Sequence, residues 1–221
     1  MTDTHAARHM DRMYHRQRII YDATRAYYLL GRDQMLRDLD AGTGMTVLEI
    51  ACGTARNLLR AAGMYPNARF YGIDISSQML TTARASVAKS PHTHRIRLGL
   101  ADATDFDAKA VLLLEQADRV FISYALSMIP QWERALDEAI LNVAPGGSLH
   151  IVDFGKMDGM PSPAKRALVA WLAKFDVTPR RDLEAVCQAA AARHGASCTF
   201  CQSPLGYWAS VVIQHGSARK P

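Results

Sequence analysis

The chain has 221 residues, 49% of them hydrophobic, with 26 Lys and Arg against 21 Asp and Glu, a formal net charge of +5. That length suits one domain with a modest extension and a full core, and no apolar run reaches the roughly eighteen residues of a membrane-spanning helix. The start, Met1-Thr-Asp-Thr-His-Ala-Ala-Arg8, lacks the apolar centre of a signal peptide, so a cytoplasmic location is expected. Dispersed basic residues without a base-stacking module argue against nucleic acid, and the positive balance favours an anionic partner or surface.

Residues 1–40 read as helical and are rich in Arg, Tyr and His; Gly31 ends one helix there and Asp33–Leu39 forms another. After the Gly42-Thr-Gly44 turn, Val47-Leu-Glu-Ile-Ala-Cys-Gly-Thr-Ala-Arg-Asn57 reads as a strand, a tight turn and a helix start. Phe70-Tyr-Gly-Ile73 is a second strand ending on Asp74, followed by helical spacing over Ser77–Arg84. Ile96-Arg-Leu-Gly-Leu-Ala101 is a third, closed by Asp102, and Val120-Phe-Ile-Ser-Tyr124 a fourth. A helix over Gln131–Leu141 and a Pro-Gly-Gly turn lead to a fifth strand at Ser148–Val152. Residues 163–175 then have apolar side chains at helical spacing with cations opposite, and residues 196–202 and 207–213 form a closing hairpin. Strands alternating with helices predict an α/β fold, a mostly parallel sheet with an added antiparallel edge.

Right-handed crossovers bring Gly53, Asp74, Asp102 and Ser123 to the carboxyl edge of such a sheet, where ligands bind. At Gly53 a turn pressed against a ligand tolerates no Cβ. Ala55 at positive φ would cost about 1 kcal/mol or more, so it is expected inside the first helical turn. A nicotinamide-binding alternative needs G-x-G-x-x-G, and the chain has one of those glycines. Asp74 is a ligand candidate; its alternative role as a helix cap is better served by Ser76 or Ser77. Cys187, Cys198 and Cys201 with His194 offer a zinc reading, but Cys198 and Cys201 on one strand point to opposite faces, so no metal is expected. Cys52 reads as a small turn residue.

Glu49 and Gly53, Asp74, Asp102-Ala103 and Asn142-Val-Ala-Pro-Gly-Gly-Ser-Leu-His-Ile-Val-Asp153 together resemble the S-adenosylmethionine-dependent methyltransferases. Ala51 and Ala55 stand where that family most often has glycines. The resemblance implies a Rossmann-like, seven-stranded sheet with helices on both faces and S-adenosyl-L-methionine as cofactor. It implies cofactor contacts from Glu49 (methionine amine), Ala51, Cys52, Gly53, Asp74 (ribose hydroxyls), Ile75, Met79, Asp102 and Ala103 (adenine) and Ser123, with Tyr21 and Arg32 closing from the N-terminal side. More selectively, Tyr21-Asp-Ala-Thr-Arg25, Leu30-Gly-Arg-Asp33, Ser123-Tyr-Ala-Leu-Ser-Met-Ile-Pro-Gln-Trp132 and Leu149-His-Ile-Val-Asp-Phe-Gly155 resemble the diacylglyceryl-homoserine N-methyltransferases of betaine-lipid synthesis.

That second resemblance implies three methyl transfers to the homoserine amine, each from a neutral nitrogen and so each needing a base. The candidates are His15, Tyr124, His150 and Asp153; Tyr124 and His150 also read as core residues, and Asp153 as a headgroup contact. Arg18 and Arg25 offer forks for the homoserine carboxylate, and Tyr28 shares a helix face with Tyr21. Residues 1–40 are accordingly expected to form a helical lid on a methyltransferase domain of residues 41–221, and a lipid substrate implies peripheral contact with an anionic membrane through the N-terminal helix or residues 163–175. Phosphatidylethanolamine or a small amine is the alternative acceptor, and a non-catalytic cofactor-binding module the alternative class.

Overall fold

The computed structural model of the chain describes residues 29–216. Its centre is a seven-stranded sheet in the order β3-β2-β1-β4-β5-β7-β6. The first five strands are β1 (Thr46–Ile50), β2 (Arg69–Asp74), β3 (Ile96–Leu100), β4 (Ala117–Ser123) and β5 (Val143–Phe154), and all their pairings are parallel. Strands β6 (Ser197–Gln202) and β7 (Trp208–Gln214) form the closing hairpin, with β7 antiparallel to both β5 and β6. The parallel portion, the antiparallel edge and the hairpin agree with the sequence reading.

Alternation along the strands sends side chains to two cores. On one face Leu48, Ile50, Val120, Ile122, Leu149 and Ile151 meet α4 (Ala108–Leu112), α5 (Trp132–Leu141) and α7 (Leu183–Arg193). On the other Val47, Phe70, Phe121, Val152 and Phe154 meet α1 (Arg32–Asp38), α2 (Arg56–Met64), α3 (Ser77–Ala88) and Leu172 of α6 (Ser162–Ala173). Parallel strands buried on both faces need apolar side chains along their buried stretch, and Val47-Leu48 and Ile50 of β1 and Val120–Ile122 of β4 supply them. Glu49 is therefore the one charged residue inside β1. Helices α4 and α7 are not among the elements expected from sequence. In α7 the signal is present but weak, because its buried stripe of Leu183, Cys187, Ala190 and Ala191 is mostly small residues.

Helix α6 leaves Leu172 as its only buried residue, with Leu168, Val169 and Trp171 half-covered against the second core. Among the described residues no helix is long and apolar enough to cross a membrane. The lid expected over residues 1–40 falls mostly outside the described residues, as do His15, Arg18, Tyr21, Arg25 and Tyr28.

The packing of α2 on the sheet depends on Gly72. A Cβ there would lie 2.5 Å from Leu58 Cδ1 and 3.0 Å from Cys52 Cβ, both in fully packed surroundings. Gly72→Ala is therefore expected to destabilise the fold by about 1–3 kcal/mol, read as a lower urea midpoint at unchanged slope; an unchanged midpoint would show that Leu58 can yield.

Candidate functional site

Strand order reverses between β1 and β4, and the loops at the carboxyl ends of these strands border one crevice. The turn after β1 forms its floor. Residues 51, 53 and 55 all have positive φ, at 57°, 55° and 61°. Ala55 thus departs from expectation: it is left-handed, and α2 begins one residue later. The reason is tertiary. The Cys52 amide donates to Ile73 O (2.8 Å), the Gly53 amide to Asp74 Oδ2 (2.7 Å) and the Ala55 amide to Cys52 O (2.9 Å). These bonds dictate the path, and alanine accepts about 1 kcal/mol of local strain to follow it. Among the described residues, its chain neighbours aside, no atom lies within 4 Å of where a Gly53 Cβ would stand.

Asp74 ends β2 and uses its other oxygen, Oδ1, to accept the Ser76 amide at 2.9 Å. Ser76 in turn caps α3, its Oγ accepting from the Met79 amide at 3.2 Å, which leaves Asp74 outside the capping role. Met79 is buried behind it and Ile75 half-buried beside it. Asp102 follows β3; its Oδ1 accepts both the amide and the hydroxyl of Thr104, at 2.9 and 2.8 Å, with Ala103 buried alongside.

Glu49 is 1% exposed. Its Oε1 accepts from Asn57 Nδ2 at 2.8 Å, while Oε2 is buried with no hydrogen-bond partner among the described residues. Burial pushes its pKa up to about 8; the Asn57 bond opposes the shift, the Asp74 charge adds to it, and the Arg32 charge opposes it. Arg32, buried at the start of α1, is thereby placed beside the same crevice. Asn57 is the residue sequence reasoning passed over, although a carboxylate inside a strand demands a donor and the next helix is where one can come from. Burial also drives the Cys52 thiol well above its ordinary range, consistent with a turn residue.

At the end of β4, Ser123 is half-buried with its Oγ unpartnered, and Tyr124 follows with φ 54°. The Tyr124 hydroxyl donates to Leu30 O, its ring meets Phe154 edge-on at 4.8 Å, and burial raises its pKa. As a base candidate Tyr124 is corrected: a hydroxyl tied to a backbone carbonyl in a packed core anchors the segment entering α1. His150 is corrected likewise. It lies in the body of β5 with Nε2 2.8 Å from Ser148 Oγ, and burial lowers its pKa to about 4. Asp153 is 1% exposed and accepts from the Ser127 amide (3.1 Å) and the Phe154 amide (2.7 Å), so a headgroup does not reach it in this geometry. Cys198 and Cys201 do occupy opposite sides of β6, one half-buried and one exposed, with Cys187 buried on α7.

A carboxyl with a raised folded pKa stabilises the fold fully only below its unfolded pKa, and that contribution is lost as pH rises through the folded value. For Glu49 the window runs from its ordinary value of 4.5 to about 8. Glu49→Gln keeps an acceptor for Asn57, so its melting temperature relative to the parent's is expected to rise from about pH 5 to about pH 8 and to level off above that. A constant difference across that range would mean that the buried carboxyl does not titrate there.

Residues 47–147 match a family described as a methyltransferase domain. The chain is 31% identical over 130 residues to a demethylmenaquinone methyltransferase of Desulfitobacterium hafniense, covering 57% of this chain and 48% of that protein. It is 33% identical over 117 residues to the ubiquinone/menaquinone biosynthesis C-methyltransferase UbiE of Syntrophotalea carbinolica, covering 52% and 46%. The chain thus spans about half the length of these relatives. Its fold superposes on an O-methyltransferase family protein of Burkholderia thailandensis with a TM-score of 0.71 at 18% identity, over 94% of this chain and 63% of that one. The fold is the Rossmann-like methyltransferase fold, and residues 47–147 within it are similar to a methyltransferase domain.

Proposed function

We propose that the chain is an S-adenosylmethionine-dependent N-methyltransferase that trimethylates the amine of diacylglyceryl-homoserine at an anionic membrane surface. The observation that carries the cofactor half is the Oε2 of Glu49, buried with no partner among the described residues, in the strand that leads into the turn at Gly53. An acceptor held in a dry site is costly unless a donor arrives, and the ammonium of an amino acid moiety is such a donor. Bound there, the cofactor supplies an electrophilic methyl group.

The chain's own residues supply binding and alignment. Glu49 accepts from the ammonium; Asp74, at the carboxyl end of β2 and bound to the cofactor turn through the Gly53 amide, receives the ribose hydroxyls; Asp102 and the Ala103 amide meet the adenine. Ser123 borders the place where the acceptor approaches. Transfer then depends on proximity and in-line orientation, and the amine must shed a proton before each methyl. With Tyr124, His150 and Asp153 engaged in the core, the base falls to His15 or to water. Arg18 and Arg25 would receive the homoserine carboxylate in planar forks, and Tyr21 and Tyr28 would face the growing cationic headgroup, at about 0.5–2 kcal/mol per ring.

The acceptor half of the proposal is supported by the resemblance of the Tyr21–Arg25 and Leu30–Asp33 blocks to the betaine-lipid enzymes. A second reading, carbon methylation of a demethylated menaquinone, is favoured by the names of the relatives above. Both acceptors are lipids, and both readings are compatible with peripheral membrane contact.

Transfer of labelled methyl from S-adenosylmethionine into vesicles containing diacylglyceryl-homoserine, phosphatidylethanolamine or demethylmenaquinone, offered separately, decides between them. Label in mono-, di- and trimethylated homoserine lipid is expected. Label in the quinone alone would install the second reading, and cofactor binding without product in any vesicle would point to a non-catalytic module. Asp74→Ala is expected to weaken cofactor binding by about tenfold or more, measured by calorimetry.

A further inference from the structure

We propose that Arg180 is a positioning residue for the methyl-acceptor side of the site: it clamps the loop after β4 that carries Ser123 and Tyr124, and so sets where the acceptor stands relative to the cofactor turn. The inference rests on the methyltransferase reading but not on the identity of the acceptor.

The loop leaves β4 at Ser123 and makes a single 3-10 turn, Leu126–Met128. Arg180 reaches it from the segment between α6 and α7. Its Nε donates to Leu126 O at 3.0 Å and its Nη2 to Ile129 O at 2.7 Å, one carbonyl at the first residue of the turn and one just after it. The Thr178 amide donates to the carbonyl between them, Ser127 O, at 2.8 Å. From the opposite side the Ser127 amide donates to Asp153 Oδ2 at 3.1 Å, tying the turn to the end of β5. The guanidinium also sits 5.8 Å from the centre of the Trp132 ring at the start of α5. One planar group thus joins the loop after β4, the helix that follows it and the segment beyond α6.

A guanidinium suits this task because its donors are fixed in one plane at a set spacing, whereas an ammonium is a point charge without a fork. The clamp matters for chemistry because the loop begins at the acceptor edge. Tyr124, at its first residue, is held by Leu30, and Arg180 holds its far end. A loop released at that end can shift by an ångström or so, enough to cost on the order of a hundredfold in an aligned transfer. The cofactor turn is held separately, by Asp74, and shares none of these bonds.

The test compares the full-length parent with Arg180→Gln and Arg180→Lys, reading acceptor kinetics, cofactor affinity and amide hydrogen exchange. Arg180→Gln is expected to lower kcat about 10- to 100-fold, to leave cofactor affinity within about twofold of the parent, and to speed exchange in residues 124–131 but not in 50–57; Arg180→Lys should fall between. Parental turnover and exchange in Arg180→Gln would overturn the proposal. So would a joint fall in melting temperature, cofactor affinity and turnover with exchange rising throughout, which marks a merely structural role. Should the parent methylate none of the acceptors offered, the functional reading fails by itself; exchange confined to residues 124–131 then still supports the clamp, and unchanged exchange removes it.

Discussion

The carboxylate of Asp74 is the constraint on which the cofactor side of the molecule depends. One oxygen takes the Gly53 amide and the other the Ser76 amide, so a single side chain joins the end of β2 to the turn after β1 and to the start of α3. With the Cys52 amide on Ile73 O and the Ala55 amide on Cys52 O, the Asp74 bond to Gly53 holds three left-handed residues in alternation, two of them alanines, against their local preference. The local strain is offset because the Cys52 and Gly53 amides are bound by the end of β2 and the Ala55 amide by Cys52 O.

Two buried carboxylates on opposite faces of the sheet show how similar burial leads to different roles. Asp153 is as hidden as Glu49, yet both of its oxygens accept backbone amides, which makes it part of the scaffold. Glu49 has one oxygen on Asn57 and the other without a partner among the described residues, and burial raises its pKa to about 8, since a buried carboxyl takes up a proton when no fixed donor meets it. Accessibility does not separate the two residues. The hydrogen-bond count does.

The acceptor side is assembled from segments remote from one another in the chain. Tyr124 binds a carbonyl just before α1, and Arg180 binds the loop that Tyr124 begins. One network is centred on Asp74 and the other on the loop after β4, and the segment entering α1 links them, since Tyr124 holds Leu30 and Arg32 follows beside Glu49.

The order of the strands, the parallel sheet with its antiparallel hairpin, and the arrival of Gly53, Asp74, Asp102 and Ser123 at the carboxyl ends of their strands were legible in the sequence, because each depends on local periodicity and on the handedness of crossovers. Helix α7 was harder to see because alanine contributes little to an apolar stripe. The conformation of Ala55 was misread because intrinsic preference was weighed without the Cys52 carbonyl and the Asp74 and Ile73 acceptors that enforce the turn. His150 and Tyr124 kept catalytic and core readings side by side in the sequence, since residue type and strand position do not reveal what a side chain meets. Only the tertiary structure paired them with Ser148 and Leu30, chose Asn57 for Glu49, and carried Arg180 across to the loop after β4. Backbone periodicity is written locally, whereas the partner of a buried polar group is decided by which distant segment packs against it.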